Sequence, residues 1–204
     1  MASRYHADGK PRTLLNDRYY VLAKIGKGAF SDVFVSETKT TRTKYALKRL
    51  NTSDTSEISA ARKEVEFMKA VEHYHIIKCH SLFKHEGRLF IPMEYADAGD
   101  LYGLIEKQKA CRRRHGYDHR DPTLGYFEQR TVLAWFNQLA CGLKHCHDNR
   151  VMHRDIKTKN VLLFENARFP GGFVLKLGDF GLARALKTTD QYLARTNCGT
   201  PLNM

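Results

Sequence analysis

The amino-acid sequence predicts an α+β fold in two lobes, the first built mainly from antiparallel strands and the second mainly from helices. Strand-forming runs recur from Tyr19 to Ile91, and one amphipathic helical pattern interrupts them. Small and turn-forming residues at 96–100 break this pattern, and a long helical pattern with one apolar face then covers 132–143. We therefore expect a flexible lead-in over 1–18, a first lobe over 19–95 and a second lobe over 96–204.

The first lobe is predicted as an antiparallel meander with one helix across it. Strands are expected at 20–25, 33–35 and 44–50, with two more near 81–83 and 88–91. Residues 53–57 supply helix-capping side chains. Apolar residues then recur at helical spacing, at Ile58, Ala61, Val65 and Met68.

The second lobe is predicted to be mostly helical. Residues 100–109 have a helical pattern, whereas 111–126 are polar, rich in arginine and without periodicity. One face of the long helix carries Val132, Phe136, Leu139, Ala140 and Leu143. Short apolar runs at 161–163 and 174–177 flank a turn-rich stretch and suggest a hairpin with a long loop.

Composition places the chain among globular proteins. Its 204 residues are 42% hydrophobic and 27% charged, which argues against disorder throughout. No run of eighteen apolar residues exists, and residues 1–10 lack the apolar stretch of a secretory signal. We expect an intracellular protein that does not enter a membrane.

The five cysteines are odd in number and form no CxxC pair, which suits reduced thiols. The group Cys141, His145, Cys146 and His147 lies at the end of an apolar helix and lacks a second ligand pair, so we do not expect a metal site there.

The formal charge of +12 would suit a nucleic-acid or acidic-membrane partner. The positive residues are spread along the chain, and the one dense run, 112–115, is interpreted as a solvated loop. Nucleic-acid binding through this run remains an alternative, although no recognition motif accompanies it.

A glycine-rich turn lies between the first two predicted strands, at 25–33. Glycines such as Gly26 and Gly28 allow backbone amides to approach phosphate oxygens, because no Cβ intervenes and positive φ is allowed. A strand follows this turn rather than the helix of a dinucleotide-binding unit, and no P-loop sequence is present.

A lysine and a glutamate form the second candidate pair. Lys48 lies on the same strand face as Ala46, since side chains alternate along a strand. Glu64 lies on the helix that follows, and an ion pair between them would direct Lys48 towards the α- and β-phosphates of ATP.

The strongest constellation combines 153–160 with 177–181. Phosphoryl transfer requires positioning of a hydroxyl and neutralisation of phosphate charge by Mg²⁺. Asp155 would accept the hydroxyl proton, and Lys157 would contact the transferred group. Asn160 and Asp179 would supply oxygen ligands to the metal.

Together these motifs resemble a eukaryotic protein kinase over about 19–204. Lys157 and the run 198–201 resemble serine/threonine rather than tyrosine kinases. The segments 92–95, 98–101, 153–160 and 177–184 are similar to those of the NIMA-related (NEK) kinases. The resemblance implies a two-lobed kinase fold with ATP between the lobes, Mg²⁺ as cofactor and protein substrates with Ser or Thr hydroxyls.

The resemblance also implies a role for further residues. Met93 would be the gatekeeper, and 94–96 the hinge whose backbone holds adenine. Met68, His153 and Phe180 would stack in the column that aligns an active kinase. The implied nucleotide-binding set is Ile25, Gly26, Gly28, Val33, Ala46, Lys48, Glu64, Met93, Glu94, Ala96, Leu162 and Asp179.

Residues 182–200 resemble an activation segment. Phosphorylation of Thr196 is expected to raise activity, because a phosphate there would pair with Arg154. The resemblance further suggests a cytoplasmic protein with a cytoskeletal, centrosomal or basal-body association.

The sequence departs from the family pattern at three places. Ser31 replaces the third glycine of the turn, and 73–77 read His-Tyr-His-Ile-Ile where the family usually has His-Pro-Asn-Ile-Val. The 204 residues do not include the family's Ala-Pro-Glu segment or its later helices, so we expect an incomplete second lobe with an exposed apolar patch on the 132–143 helix. A non-catalytic module that binds nucleotide or a protein partner is therefore the alternative to an active kinase.

Overall fold

A computed structural model describes residues 13–28, 31–51, 54–115 and 126–185 of the chain. The chain divides into two compact units. The first comprises residues up to Lys69 together with Lys78–Tyr95, and the second comprises Ala70–Ile77 together with the residues from Ala96 onwards.

The first unit is built on a six-stranded antiparallel sheet with strand order β1-β2-β3-β4-β6-β5. The strands are β1 (Leu14–Leu15), β2 (Tyr19–Lys27), β3 (Ser31–Thr38), β4 (Lys44–Leu50), β5 (Phe83–His85) and β6 (Arg88–Glu94). The predicted meander and the two later strands are confirmed, with β5 beginning at Phe83 rather than 81 and β6 continuing to Glu94.

Helix α1 (Thr55–Ala70) is the predicted amphipathic helix of the first unit. The Asp54 carboxylate accepts a hydrogen bond from the Ser56 backbone N–H at 2.7 Å, which caps the first turn. Ala61, Val65 and Met68 of the predicted face are buried, together with Glu64, whereas Ile58 is half-buried.

Residues 13–18, predicted as part of a flexible lead-in, instead contain a strand. Leu15 is buried with Tyr19 in the core of the sheet, which favours pairing of β1 with β2. The connection turns sharply because Asn16 and Asp17 adopt positive φ values of 48° and 49°, a conformation that these two residue types tolerate.

The second unit combines two long helices with short strand pairs. Its helices are α2 (Leu101–His115) and α3 (Gln129–Asp148), and its strands are β7 (Val151–Met152), β8 (Val161–Glu165), β9 (Phe173–Leu177) and β10 (Arg184–Ala185). Strands β8 and β9 form the predicted hairpin, and β7 pairs with β10. Trp135 packs with β8 and β9 side chains in the core.

Two expectations for the second unit are corrected. The helix at 100–109 extends to His115, so 111–114 are helical rather than irregular. On α3 the buried face is Thr131, Trp135, Gln138, Gly142 and Cys146. Leu139 and Leu143 pack against the core, whereas Val132 and Phe136 are 46% and 70% exposed, and with Leu133 they form the expected apolar patch.

Within the described part of the chain, no helix has both the length and the apolar character needed to cross a bilayer.

Candidate active site

One face of the first unit's sheet gathers several predicted site residues. Val33 is the cross-strand partner of Lys48, and Ala46 is the partner of Met93. Because directly opposed residues point to the same face and side chains alternate along a strand, these four side chains share one face. The sheet register therefore brings together residues that are separated by up to sixty positions in the chain.

The glycine-rich turn joins β2 to β3. The Gly28 N–H donates to the Ser31 carbonyl oxygen at 2.7 Å and closes the turn at its base. Neither Gly26 nor Gly28 has a positive φ, so the expectation that these glycines adopt that conformation is wrong. A Cβ on Gly26 would lie 3.4 Å from Val33, an ordinary contact, so neither the backbone conformation nor the packing within the chain requires glycine here.

Asp32, immediately before Val33, braces the strands beside this turn. Its carboxylate is buried and pairs with Arg49 of β4 at 2.6 Å and with Lys24 of β2. The hydrogen bond from Lys24, followed by those from Asn51 and Arg49, lowers the pKa of Asp32 to about 2 against the opposing effect of burial. Asp32 therefore stays ionised and ties three strands together.

The predicted ion pair between Lys48 and Glu64 is present. The Lys48 Nζ donates to Glu64 Oε1 and Oε2 at 2.8 and 2.9 Å. Both side chains are largely shielded from water, with 17% and 7% exposure. Position 64 on α1 thus fixes the ammonium group of a β4 residue in one place.

In the second unit, Gly178 connects the 153–160 loop to the segment that carries Asp179. The Gly178 N–H donates to the Asn160 carbonyl oxygen at 2.8 Å, and the Gly178 carbonyl lies 2.9 Å from His153 Nε2. The Phe180 ring, fully buried, packs on the His153 ring at 4.6 Å between centroids. Met68, predicted to join this stack, is buried in α1 of the first unit.

The tautomer of His153 follows from its contacts. Its Nδ1 accepts the Asp155 backbone N–H at 3.3 Å, so the proton is on Nε2 and is donated to Gly178. Burial lowers the pKa of His153, although the Gly178 hydrogen bond opposes this effect. The ring is neutral at pH 7 and acts as a spacer between the two segments rather than as a charge.

Asp155 is buried and held by two side chains. The Lys157 Nζ donates to Asp155 Oδ2 at 2.7 Å, and the Asn160 Nδ2 donates to the same oxygen at 3.0 Å and to the Asp155 carbonyl oxygen at 2.9 Å. Such donors hold the carboxylate in one orientation.

The backbone is strained at one residue in each of the loops that carry Asp155 and Asp179. Arg154 and Asp179 have φ values of 63° and 59°, which few residues other than glycine adopt. Both conformations are stabilised by neighbouring contacts, among them the 2.8 Å hydrogen bond from Arg154 Nε to the Leu182 carbonyl oxygen. Strain of this kind is concentrated at functional sites.

A divalent cation fits the donors at this position. The Asn160 Nδ2 donates to Asp155, so the amide oxygen is the Asn160 atom that would serve as a ligand, and Asp179 is exposed. Carboxylate and amide oxygens are ligands that Mg²⁺ accepts, with water and phosphate completing the shell. In the described ranges no group of three or more His, Cys, Asp or Glu side chains could hold a metal by itself.

Comparison with known proteins agrees with this geometry. The family description "protein kinase domain" matches residues 19–204. This chain belongs to the protein kinase family. Human serine/threonine-protein kinase Nek5 is 37% identical over 187 residues, or 91% of this chain and 24% of that protein. The mouse serine/threonine-protein kinases Nek3 and Nek1 are 37% and 34% identical to this chain, each over 91% of it. The aligned region is 32% of Nek3 and 14% of Nek1.

These matches show a NEK-like serine/threonine kinase sequence. The chain spans about a quarter of the length of human Nek5. A more distant relative, human NUAK family SNF1-like kinase 2, is 31% identical over 92% of this chain.

The remaining residues of the predicted kinase site lie in different settings. Ile25 is 51% exposed at the end of β2. Leu162 contacts Gly178, where a Cβ would lie 3.0 Å from its Cδ1. The Glu94 N–H donates to the Lys78 carbonyl at 3.0 Å, and the Ala96 carbonyl accepts the Gly99 N–H at 3.3 Å. Thr196 lies outside the described residues.

Sequence reasoning assigned no role to two residues that brace the candidate site, Gly178 and Asp32. Gly178 joins the loops through its backbone, and only the tight contact with Leu162 shows why it is glycine. Asp32 was passed over because the motif around it is defined by glycines, although an acidic residue between basic strand neighbours was a usable signal.

Proposed function

We propose that this chain carries the catalytic machinery of a protein kinase that transfers the γ-phosphoryl group of Mg-ATP to Ser or Thr hydroxyls of protein substrates. The observation that carries the proposal is the fixed Asp155 carboxylate, oriented by Lys157 and Asn160 in a loop that Gly178 connects to Asp179. Family membership supports the reaction class.

Asp155 would accept the proton of the substrate hydroxyl as its oxygen attacks the γ-phosphorus. The bond from that phosphorus to the bridging oxygen breaks, and ADP leaves with the electron pair. Lys157, 2.7 Å from Asp155, lies within reach of the same reacting group and would stabilise its negative charge.

Lys48 would bind the α- and β-phosphates, with Glu64 holding its ammonium group in place. Asn160 and Asp179 would hold Mg²⁺, which when bound neutralises phosphate charge. Val33, Ala46 and Leu162 would contact the adenine ring, and 94–96 would hydrogen-bond its edge.

Phosphorylation of Thr196 is proposed to increase activity by recruiting Arg154. The Arg154 Nε donates to the Leu182 carbonyl, and a phosphate would offer its guanidinium group a stronger, charged acceptor. Equal turnover by a Thr196→Ala enzyme and the phosphorylated parent would contradict this role.

A cytoplasmic location with cytoskeletal, centrosomal or basal-body association is proposed from the family resemblance. Co-localisation of the tagged chain with γ-tubulin would support it, and diffuse fluorescence in dividing and ciliated cells would count against the association.

To test this function, the chain is incubated with labelled Mg-ATP and matched peptides that contain Ser, Thr or Tyr as the only hydroxyl, and the labelled phosphoamino acid is identified. The proposal expects phosphoserine and phosphothreonine, no phosphotyrosine, and no product when the metal is removed by EDTA. Saturable binding of Mg-ATP without transfer would instead establish the non-catalytic alternative.

A further inference from the structure

The C-terminal half of α2 carries a dense, exposed set of cations. Its basic side chains are Lys107, Lys109, Arg112, Arg113 and Arg114, all exposed. Glu106 is the one acidic residue of the helix and pairs with Lys109 at 2.8 Å. In the part of the chain that the structure describes, no ion pair involves Lys107 or the three arginines. We name these five residues the α2 basic surface.

The positive charges of this surface exceed what the helix itself can neutralise. Lys109, Arg112 and Arg113 are spaced i, i+3 and i+4 on one face, and the helix offers them one carboxylate, that of Glu106. The three arginines lie in the last turn, where the helix C-terminus attracts cations, but this attraction is weak at an exposed site and is screened by salt. Three neighbouring like charges on one face therefore create a local positive potential that an anionic partner would relieve.

One arginine of the surface is held in place. The Arg112 guanidinium lies over the Tyr126 ring, 4.5 Å from its centroid, and the Gln108 side chain donates to the Tyr126 carbonyl at 3.1 Å. Stacking occupies the face of the guanidinium group and leaves its in-plane N–H donors for an oxygen ligand. Less side-chain entropy is then lost when such a ligand binds.

The helix that carries the surface is fixed at its other end. Lys159, from the loop that carries Asp155, lies 4.7 Å from the centre of the Tyr102 ring, and Leu101 and Leu104 pack against the β8–β9 core. At 1.5 Å per residue, Arg112 lies about 15 Å along the axis from Tyr102. The surface is thus a rigid extension of the unit that contains Asp155.

We propose that the α2 basic surface binds an acidic segment of a protein partner. Carboxylates match the fork of guanidinium donors and can bind it in a bidentate manner. Nucleic acid fits less well, because single strands stack their bases on aromatic platforms, and Arg112 occupies one face of the half-exposed Tyr126 ring. The eight-residue stretch 107–114 spans about 12 Å, too short to follow a duplex backbone over a turn.

The proposal concerns binding and does not depend on phosphoryl transfer. A direct measurement is fluorescence anisotropy of a labelled Glu-rich peptide against the full chain, with a Gln-rich peptide and a single-stranded oligonucleotide of equal charge as comparisons. Asp155→Asn protein is expected to bind the Glu-rich peptide like the parent, so failure of the proposed catalysis leaves this test intact.

The decisive variant is R112Q/R113Q/R114Q, and R62Q/K63Q/K84Q removes the same charge from exposed positions elsewhere. We expect about tenfold weaker binding for the first and less than about twofold change for the second. R112K/R113K/R114K keeps the charge but loses the guanidinium fork and its stacking on Tyr126, so its binding should weaken by about threefold, clearly less than that of the first Gln variant.

Equal losses in the two Gln variants would overturn the proposal, as would loss in the Lys variant as large as in the first Gln variant. Absence of Glu-rich peptide binding would also overturn it, and tighter binding of the oligonucleotide at the same salt would assign the surface to nucleic acid instead. Thermal unfolding of each variant verifies that binding is compared between folded proteins.

Discussion

At the residue scale, the shielded pair of Lys48 and Glu64 allows a direct test of the first unit's part in the site. Glu64→Gln removes the carboxylate that holds the largely buried Lys48 ammonium group at 2.8 and 2.9 Å. Loss of such a charged hydrogen bond is expected to lower the free energy of unfolding by about 1–3 kcal/mol. Phosphoryl transfer is expected to fall at least about tenfold, because Lys48 is no longer held towards phosphate. Urea unfolding and kcat/KM measure the two effects.

Glu66→Gln is the matched control for this prediction. Glu66 lies two positions further along α1 and is exposed, so its substitution should change stability by less than about 0.5 kcal/mol. Similar losses in both variants would show that α1 needs negative charge in general and not this ion pair.

The cysteines give a second prediction at the residue scale. Burial raises the pKa of the Cys79 and Cys146 thiols to about 11, and the neighbouring Glu64 adds to the effect for Cys79. Cys141 is exposed. Because the thiolate is the reactive form, iodoacetamide at pH 8 should modify Cys141 first and leave the other two protected until unfolding. Peptide mapping by mass spectrometry would contradict this if Cys79 reacted as fast as Cys141.

Single residues were predictable where a motif or an alternation defines them. The pairing of Lys48 with Glu64 was predicted from the phosphate-binding role that an ion pair would give Lys48, and the structure contains it. The contacts of Gly178 and the engagement of Asn160 with Asp155 were not predictable, because they depend on the positive φ values of Arg154 and Asp179. Sequence patterns do not encode such loop conformations.

At the element scale, helix α3 packs so closely on residues 73–75 that an added methyl group is expected to lower the stability of the fold. A Cβ on Gly142 would lie 2.8 Å from the His75 carbonyl oxygen. Gly→Ala in a helix normally stabilises by up to about 1 kcal/mol, but here we expect Gly142→Ala to destabilise by about 1–3 kcal/mol, because the clash is with backbone. Thermal or urea unfolding measures the sign.

Gly103→Ala in α2 provides the comparison. A Cβ there would lie 3.4 Å from the Asp100 side chain, an ordinary contact, so helix propensity should dominate and the variant should be as stable as the parent or more so. If Gly142→Ala also stabilised the protein, the packing of α3 against 73–75 would be wrong.

The type and order of the helices and strands were predictable from periodicity, but the buried face of each helix was less predictable. The apolar residues of α3 suggested a face through Val132 and Phe136, yet Gln138 is buried because its amide accepts the Leu175 N–H at 2.8 Å and donates to the Phe173 carbonyl at 3.4 Å. A polar side chain that satisfies the β9 backbone is invisible to a hydrophobicity pattern. The continuation of α2 beyond 110 was missed for a similar reason, since solvated arginines produce no apolar period.

At the scale of the whole molecule, stability is expected to fall as the pH decreases from 7.5 to 5.5. Burial lowers the pKa values of His73 and His153 below the ordinary 6.5, and for His73 the neighbouring His145 and His75 add to the effect. The unfolded chain therefore binds more protons than the native state once the pH falls through 6.5. Each additional proton bound by the unfolded chain lowers the free energy of unfolding by up to about 1.4 kcal/mol per pH unit.

Urea unfolding at several pH values tests this expectation, with His153→Gln reducing the slope because one of the two groups is removed. The Asp32 carboxylate, whose pKa is lowered to about 2, contributes stability that is lost only at more acidic pH. Constant stability from pH 7.5 to 5.5 would mean that these two histidines are not shielded in solution.

The central claim for the whole molecule is that phosphoryl transfer proceeds through the Asp155 carboxylate. The most direct measurement compares transfer and Mg-ATP binding for the parent, Asp155→Asn and the exposed control Asp148→Asn. We expect Asp155→Asn to lower the rate of phosphoryl transfer at least about a hundredfold and to change the affinity for Mg-ATP by less than about threefold. Asp148→Asn should match the parent in both measurements. Equal transfer by Asp155→Asn and the parent would contradict this claim.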